Sequence, residues 1–160
     1  MAKFDYTTIK SFEDACLRLG ADPQDFYRKY EGFPEHIKAL IKLEVITKAL
    51  NDGWSHPLDG VAYGYYPWHW IYNDREIAKM TEEEKNDRRI FTYIRPDGSC
   101  GLGCAYSYSG WSVSDASLGS RLACNSREIA TYCAVEFKDL WASYLFPQKH
   151  QLEVQNDMLW

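Results

Sequence analysis

The sequence predicts an α+β fold, a small antiparallel sheet of three to four strands packed by about three helices. Apolar residues recur at helical spacing, between start and stop signals, near 12–19, 35–51 and 126–145. The run Tyr63-Gly-Tyr65-Tyr66-Pro67-Trp68-His69-Trp70-Ile71-Tyr72 has the length and aromatic content of a strand. Two further strand-like runs, near 89–95 and 101–108, flank the turn Arg95-Pro96-Asp97-Gly98.

The elements follow in order. Ser11-Phe12-Glu13-Asp14 resembles a capping box with Asp in place of Glu, and Phe12, Ala15, Cys16 and Leu19 form an apolar stripe that stops at Gly20. Residues 21–34 carry Pro23, Gly32 and Pro34 among Phe26, Tyr27, Tyr30 and Phe33, which reads as a loop or broken helical turn anchored by rings. From Glu35 to Asn51 apolar residues cover most of the helix circumference, leaving a stripe of Lys38, Lys42 and Lys48, so this helix should be largely buried. Asp52-Gly53 ends it, and Trp54 to Gly60 is a loop feeding the aromatic strand.

After Tyr72 the segment 79–89 is highly charged and nearly free of apolar residues, a solvated excursion with a helical turn capped by Thr81. In 101–108, Leu102, Cys104, Tyr106 and Tyr108 alternate with small residues, giving one large and one small face. A Ser/Gly-rich loop leads to Ser120-Arg-Leu-Ala-Cys124, read as a short fourth strand. Asn125-Ser126-Arg127-Glu128 is a helix start, and Ile129, Cys133, Phe137, Leu140, Trp141 and Tyr144 continue one stripe to Pro147, predicting a single helix across the large-residue face. Residues 1–146 thus form one domain, and 147–160 a polar C-terminal tail.

A chain of 160 residues can bury roughly two-thirds of its unfolded surface. Its 46% hydrophobic and 26% charged residues are globular proportions, and the 16% aromatic content stands out. A net charge of -5 and a pI near 5.4, with no Lys/Arg block, argue against a footprint on long nucleic acid. The N-terminal residues lack a signal-peptide core and no apolar run reaches a membrane span, so a cytosolic protein without a membrane partner is expected. Cys16, Cys100, Cys104, Cys124 and Cys133 read as free thiols in a reducing compartment. No second pair accompanies Cys100 and Cys104 at ligand spacing, so neither a metal nor a cofactor is expected.

Four segments in this order carry a resemblance: Ile9-Lys-Ser-Phe-Glu-Asp-Ala-Cys16, Lys48-Ala-Leu-Asn-Asp-Gly-Trp54, Tyr65-Tyr66-Pro67-Trp68, and Gly119-Ser-Arg-Leu122 entering Ser126-Arg127-Glu128. Over most of residues 9–146 the chain resembles a family of small uncharacterised proteins of gut bacteria and their phages, including crAss-like phages. The resemblance implies a phage or mobile-element setting, a host-cytoplasm location and a compact α+β domain, with no activity attached. His69 beside Trp68, the charged excursion and the tail depart from the family pattern.

Two candidate sites stand out. In the aromatic strand, period two puts Tyr66, Trp68, Trp70 and Tyr72 on one face and Tyr63, Tyr65, His69 and Ile71 on the other. One face can stack a base or sugar ring; equally, helices and a neighbouring strand can cover both. Pro67 donates no ladder bond and so marks an edge strand or a bulge, and an edge can pair with another chain. At Gly119-Ser120-Arg121 the glycine admits a ligand to the backbone while hydroxyl and guanidinium hold a phosphate or carboxylate. The plainer reading is a bend with Arg121 paired to a surface acid. It is not a P-loop, because the Gly-Lys-Ser/Thr ending is missing.

His56, His69, His150, Asp59, Asp115 and Ser120 supply hydrolase residue types without an organising motif. Cys104 and Cys124 sit in apolar strand-like context that favours inert thiols. The expectation is therefore a non-catalytic binding protein, a counter-defence protein that sequesters a small nucleotide signal between the rings of Tyr66, Trp68 and Trp70 and the Gly119-Ser120-Arg121 turn. A self-assembling or virion interaction protein using the aromatic edge strand, and an enzyme acting on a nucleotide or glycan, are the alternatives.

Overall fold

Ser11 starts the first helix by accepting the Asp14 N–H at 3.0 Å, while the Asp14 carboxylate reaches back to the Lys10 N–H at 2.9 Å. The computed structural model describes residues 4–57, 62–88, 90–95, 98–110 and 120–145. Gly119 and the tail 147–160 lie outside the described residues, as do the side chains whose large and small faces were expected to alternate in 101–108. Helix α1 (Phe12–Arg18) turns through Gly20, at φ 70°, into α2 (Pro23–Lys29). Of the loop or broken helical turn expected over 21–34, the structure forms the helical alternative as the short α2. Its Asp22 cap accepts the Gln24 N–H at 2.9 Å and Pro23 occupies the first turn, a start signal present in the sequence.

Helix α3 (Glu35–Leu50) runs through the middle of the core, packed against α1 on one side and the last helix on the other. Its Leu43, Ile46, Ala49 and Leu50 are fully buried. Lys42 is not simply a member of a solvated stripe: its ammonium lies 4.8–5.5 Å from the ring centres of Phe12, Phe26 and Tyr27. That cation ties α1 and α2 to α3. Behind α3 the chain reverses at Asp52 (φ 54°) and Gly53 (φ 81°), and Asp52 pairs with Arg18 of α1.

Strands β1 (Gly64–Asn73), β2 (Ile90–Arg95) and β3 (Gly98–Gly110) form an antiparallel sheet in the order β1-β3-β2, so β1 is an edge. The register breaks between Trp68 and His69, which pair with Tyr106 and Cys104, leaving Ala105 as the extra residue of a bulge. Pro67 thus sits on an edge strand one residue before the bulged pair. Between β1 and β2 the excursion folds as α4 (Asp74–Lys79) and α5 (Glu82–Asp87), started by capping boxes at Asn73 and Thr81. Every residue of α5 described as to burial lies at or near the surface, which suits its charge.

The segment 120–124, expected as a strand, is a 3-10 turn over Ser120–Leu122 followed by one bridge. The Ala123 N–H closes the turn on the Ser120 carbonyl at 3.1 Å, and only Cys124 pairs with β1, exchanging two bonds of 2.7 and 3.0 Å with Tyr65. The helix expected over 126–145 is divided into α6 (Arg127–Glu136) and α7 (Lys138–Leu145) at Phe137. Ile129, Cys133, Phe137 and Trp141 are all buried across the break, and the Trp141 indole donates to the Cys133 carbonyl at 3.2 Å. Helix α6 packs on β1 and β3, completing a mixed helix and strand architecture. Among the described residues no helix is long and apolar enough to cross a membrane.

Candidate ligand cleft

The loops that stop α1 and α3 and the 3-10 turn before α6 surround a cleft of about 720 Å³. Drug-sized ligands occupy pockets of roughly 300–1,000 Å³. Phe12, Cys16, Leu19, Phe26 and Val45 supply its apolar lining, while Tyr30, Trp54 and His56 add rings. Phe26 packs on Phe12 and Tyr30 at 4.7 and 4.9 Å, and Trp54 meets His56 edge-on at 5.7 Å.

Asn51 holds one wall in place. It caps α3, is 3% exposed, donates from Nδ2 to the Ala123 carbonyl at 2.8 Å and accepts the Asn125 N–H at 2.9 Å. Through these bonds the end of α3 fixes the segment bearing Ser120 and Arg121. On the β1 side, His56 lies so close over Gly64 that a Cβ there would fall 2.7 Å from its Cδ2 and 3.1 Å from the Ala123 Cβ. Glycine at 64 is what lets the imidazole lie against the strand.

Six charged side chains line the cleft: Asp22, Asp25, Lys29, Glu44, Lys48 and Arg121. The carboxylates are already engaged, Asp22 by the Gln24 N–H, Asp25 by Arg28, and Glu44 by Arg121, whose Nη1 is 3.7 Å from its Oε1. Lys29 lies 5.3 Å from the centre of the Tyr30 ring, and Lys48 has no ion-pair partner among the described residues. The lining thus carries three carboxylates and three cations, with Lys48 lacking an ion-pair partner among the described residues and aromatic surface beside it. Such a lining can stack a planar group and hold an anion.

The residues singled out from sequence do not converge. Ser120 and Arg121 line the cleft, with Arg121 also paired to Glu44 as the plainer reading had it, whereas Tyr66, Trp68 and Trp70 do not. The strand rings and Arg121 therefore do not line one cleft. Tyr66 is 5% exposed and packed inside, Trp68 is half-buried with its ring 6.2 Å from that of Trp70, and Trp70 is 47% exposed. On the opposite face His69 meets Trp141 of α7 at 5.4 Å.

The cleft's rings come instead from α1, α2 and the loop after α3. Lys48 comes from the lysine stripe of α3 and Trp54 from the loop that follows it. The sequence signal for both was adjacency to the helix stop Asp52-Gly53, which faces them toward the turn at Gly20. Burial drives the Cys124 thiol well above the ordinary thiol range and raises that of Cys16, so neither is activated. Among the described residues no three His, Cys, Asp or Glu side chains gather as metal ligands. No protein-family model, curated protein or solved structure matches the chain.

Proposed function

We propose that this chain is a non-catalytic binding protein that holds a small planar anion of the nucleotide class in the cleft between α1, α2, α3 and the Ser120–Leu122 turn. The observation that carries the reading is the pairing of aromatic side chains with Lys48 and Arg121 in one cavity of ligand size. In the phage setting implied by the resemblance, holding a nucleotide signal would act as counter-defence. A thermal-shift panel of nucleotides tests this. One class should raise the melting temperature, be returned unchanged after heat release, and lose at least tenfold in affinity in Arg121→Ala, about what one charged hydrogen bond supplies. No shift with any nucleotide, or release of a converted product, would overturn it.

A second reading has its own support. Trp70 is 47% exposed on β1, an edge of the sheet, and an aromatic edge suits association with a second copy or a virion component. Light scattering showing a stable oligomer that Trp70→Ser dissolves, with no nucleotide shift, would favour this interaction role.

A further inference from the structure

We infer that the sheet face turned away from the helices carries a binding site of its own, a slot of bare backbone beside Trp70 and Tyr72 that takes a neutral sugar ring of a glycan chain. The inference stands apart from the nucleotide reading and uses no cleft residue. Strand register carries it. Trp70 pairs with Gly103, which pairs in turn with Ile90 of β2, and Tyr72 pairs with Gly101, which pairs with Thr92. Directly paired residues share a face of an antiparallel sheet, as do alternate residues of one strand. His69 is on the helix side, against Trp141, so Trp70, Tyr72 and the two glycines are on the other. The central strand therefore presents no side chain there at two successive positions, a span of about 7 Å. Glycine inside a strand is where a ligand can come close to the backbone.

The surroundings of the slot select the ligand. Trp70 is 47% exposed, and the half-buried Trp68 bounds it on one side with its ring 6.2 Å away. On the other side Arg88 lies over the Tyr72 ring at 5.7 Å, its Nη1 3.4 Å from the Tyr72 hydroxyl. The three strands contribute no Asp, Glu or Lys, and their one arginine, Arg95, is the last residue of β2. A single-stranded nucleic acid needs a positively charged groove along its backbone, and an uncharged sheet does not offer one. A sugar ring needs no counter-charge: it lays its C–H face on an aromatic ring and turns its hydroxyls to the donors of Arg88. A flat protein surface would bridge the glycines and leave a gap that well-packed interfaces do not keep.

Calorimetry and tryptophan fluorescence of the full chain, titrated with cellohexaose, maltohexaose and chitohexaose and with oligo(dT) as the anionic comparison, test the assignment. At least one hexasaccharide should bind with a Kd of about 1 mM or tighter. Trp70→Ala should weaken it at least about fivefold, the low end of what one stacked ring supplies. Gly103→Val should weaken it as much, because the added side chain fills the slot while valine suits a strand. Arg121→Ala, in the cleft, should leave it unchanged. Failure of all three sugars to bind, wild-type affinity in Trp70→Ala or in a folded Gly103→Val, or tighter binding of oligo(dT) overturns the inference. A loss in Arg121→Ala moves the sugar to the cleft and overturns it too, as does light scattering that shows a Trp70-dependent oligomer unaffected by sugar, which gives the face to a second copy. Should Gly103→Val fail to fold, Trp70→Ala, at an exposed position, decides alone. Nucleotide binding is read through Arg121 and sugar binding through Trp70, so either can fail while the other stands.

Discussion

At Gly64 the absence of one carbon shapes a wall of the cleft. A methyl there must displace the His56 ring or press on Ala123, because the available gaps are 2.7 and 3.1 Å. Gly64→Ala should therefore lower stability by about 1–3 kcal/mol, the usual cost of overpacking, and weaken whatever the cleft holds; a urea midpoint equal to wild type would show that His56 moves aside freely. In the sequence this glycine was one residue of an aromatic strand, and only its isolation among rings hinted at a close approach. Lys42 was misread for the opposite reason. Its spacing put it with Lys38 and Lys48, but Phe12, Phe26 and Tyr27 arrive from two other helices and gather around the ammonium. Periodicity describes one helix and is silent about what packs on it.

Among elements, the tie from α3 to the 3-10 turn runs through one side chain. Asn51→Ala leaves the Ala123 carbonyl and the Asn125 N–H without their partner, and a buried unsatisfied group costs about 1–3 kcal/mol. Denaturation should show a loss of about 1–3 kcal/mol, mainly from the buried Ala123 carbonyl, with Asn51→Ser intermediate; a loss below about 0.5 kcal/mol would mean that other contacts hold the turn. The elements with strong local signals were legible: the Ser11 cap, the Asp52-Gly53 stop and the Thr81 turn occur where the residues placed them, and the helix start read over Asn125–Glu128 falls on Ser126. For α2 the residues left a loop and a broken helical turn both open, because the rings and prolines downstream suggest irregularity, although Asp22-Pro23 is a cap followed by a helix-starting proline. The break at Phe137 had no such signal. Buried residues recur every fourth position through it, so the stripe is continuous while the backbone is not. The Ser120–Leu122 turn was taken for a strand because Leu122 and Cys124 are both buried, yet only Cys124 is paired.

For the molecule as a whole, acid should be destabilising well before its carboxylates titrate. His69 is packed against Trp141, neither ring nitrogen has a hydrogen-bond partner among the described residues, and burial pushes its pKa down to about 4. The unfolded chain takes up that proton at about 6.5, so the neutral ring's contribution is complete above that value and is lost as pH falls toward 4, a total of roughly 3 kcal/mol. Urea midpoints should fall across that window and flatten in His69→Phe; an unchanged slope in the variant would place the acid sensitivity in Asp and Glu, whose loss comes at lower pH. The aromatic run was legible as a strand, but not the use of its two faces. His69 turns to the helices, while the other face grades from buried Tyr66 to exposed Trp70, and the cleft draws on rings from elsewhere because long-range packing decides which rings meet. Strand β1 also has two differently occupied ends: Gly64 lies under His56 at the cleft, and Asn73 caps α4 in the charged lobe. Ten residues at about 3.3 Å each make it a stiff rod of roughly 30 Å with a single bend at the bulge. Paired with β3 along its whole length, it ties the His56 wall of the cleft to the start of α4 at opposite ends of one strand, so the two sites are set apart by the sheet itself.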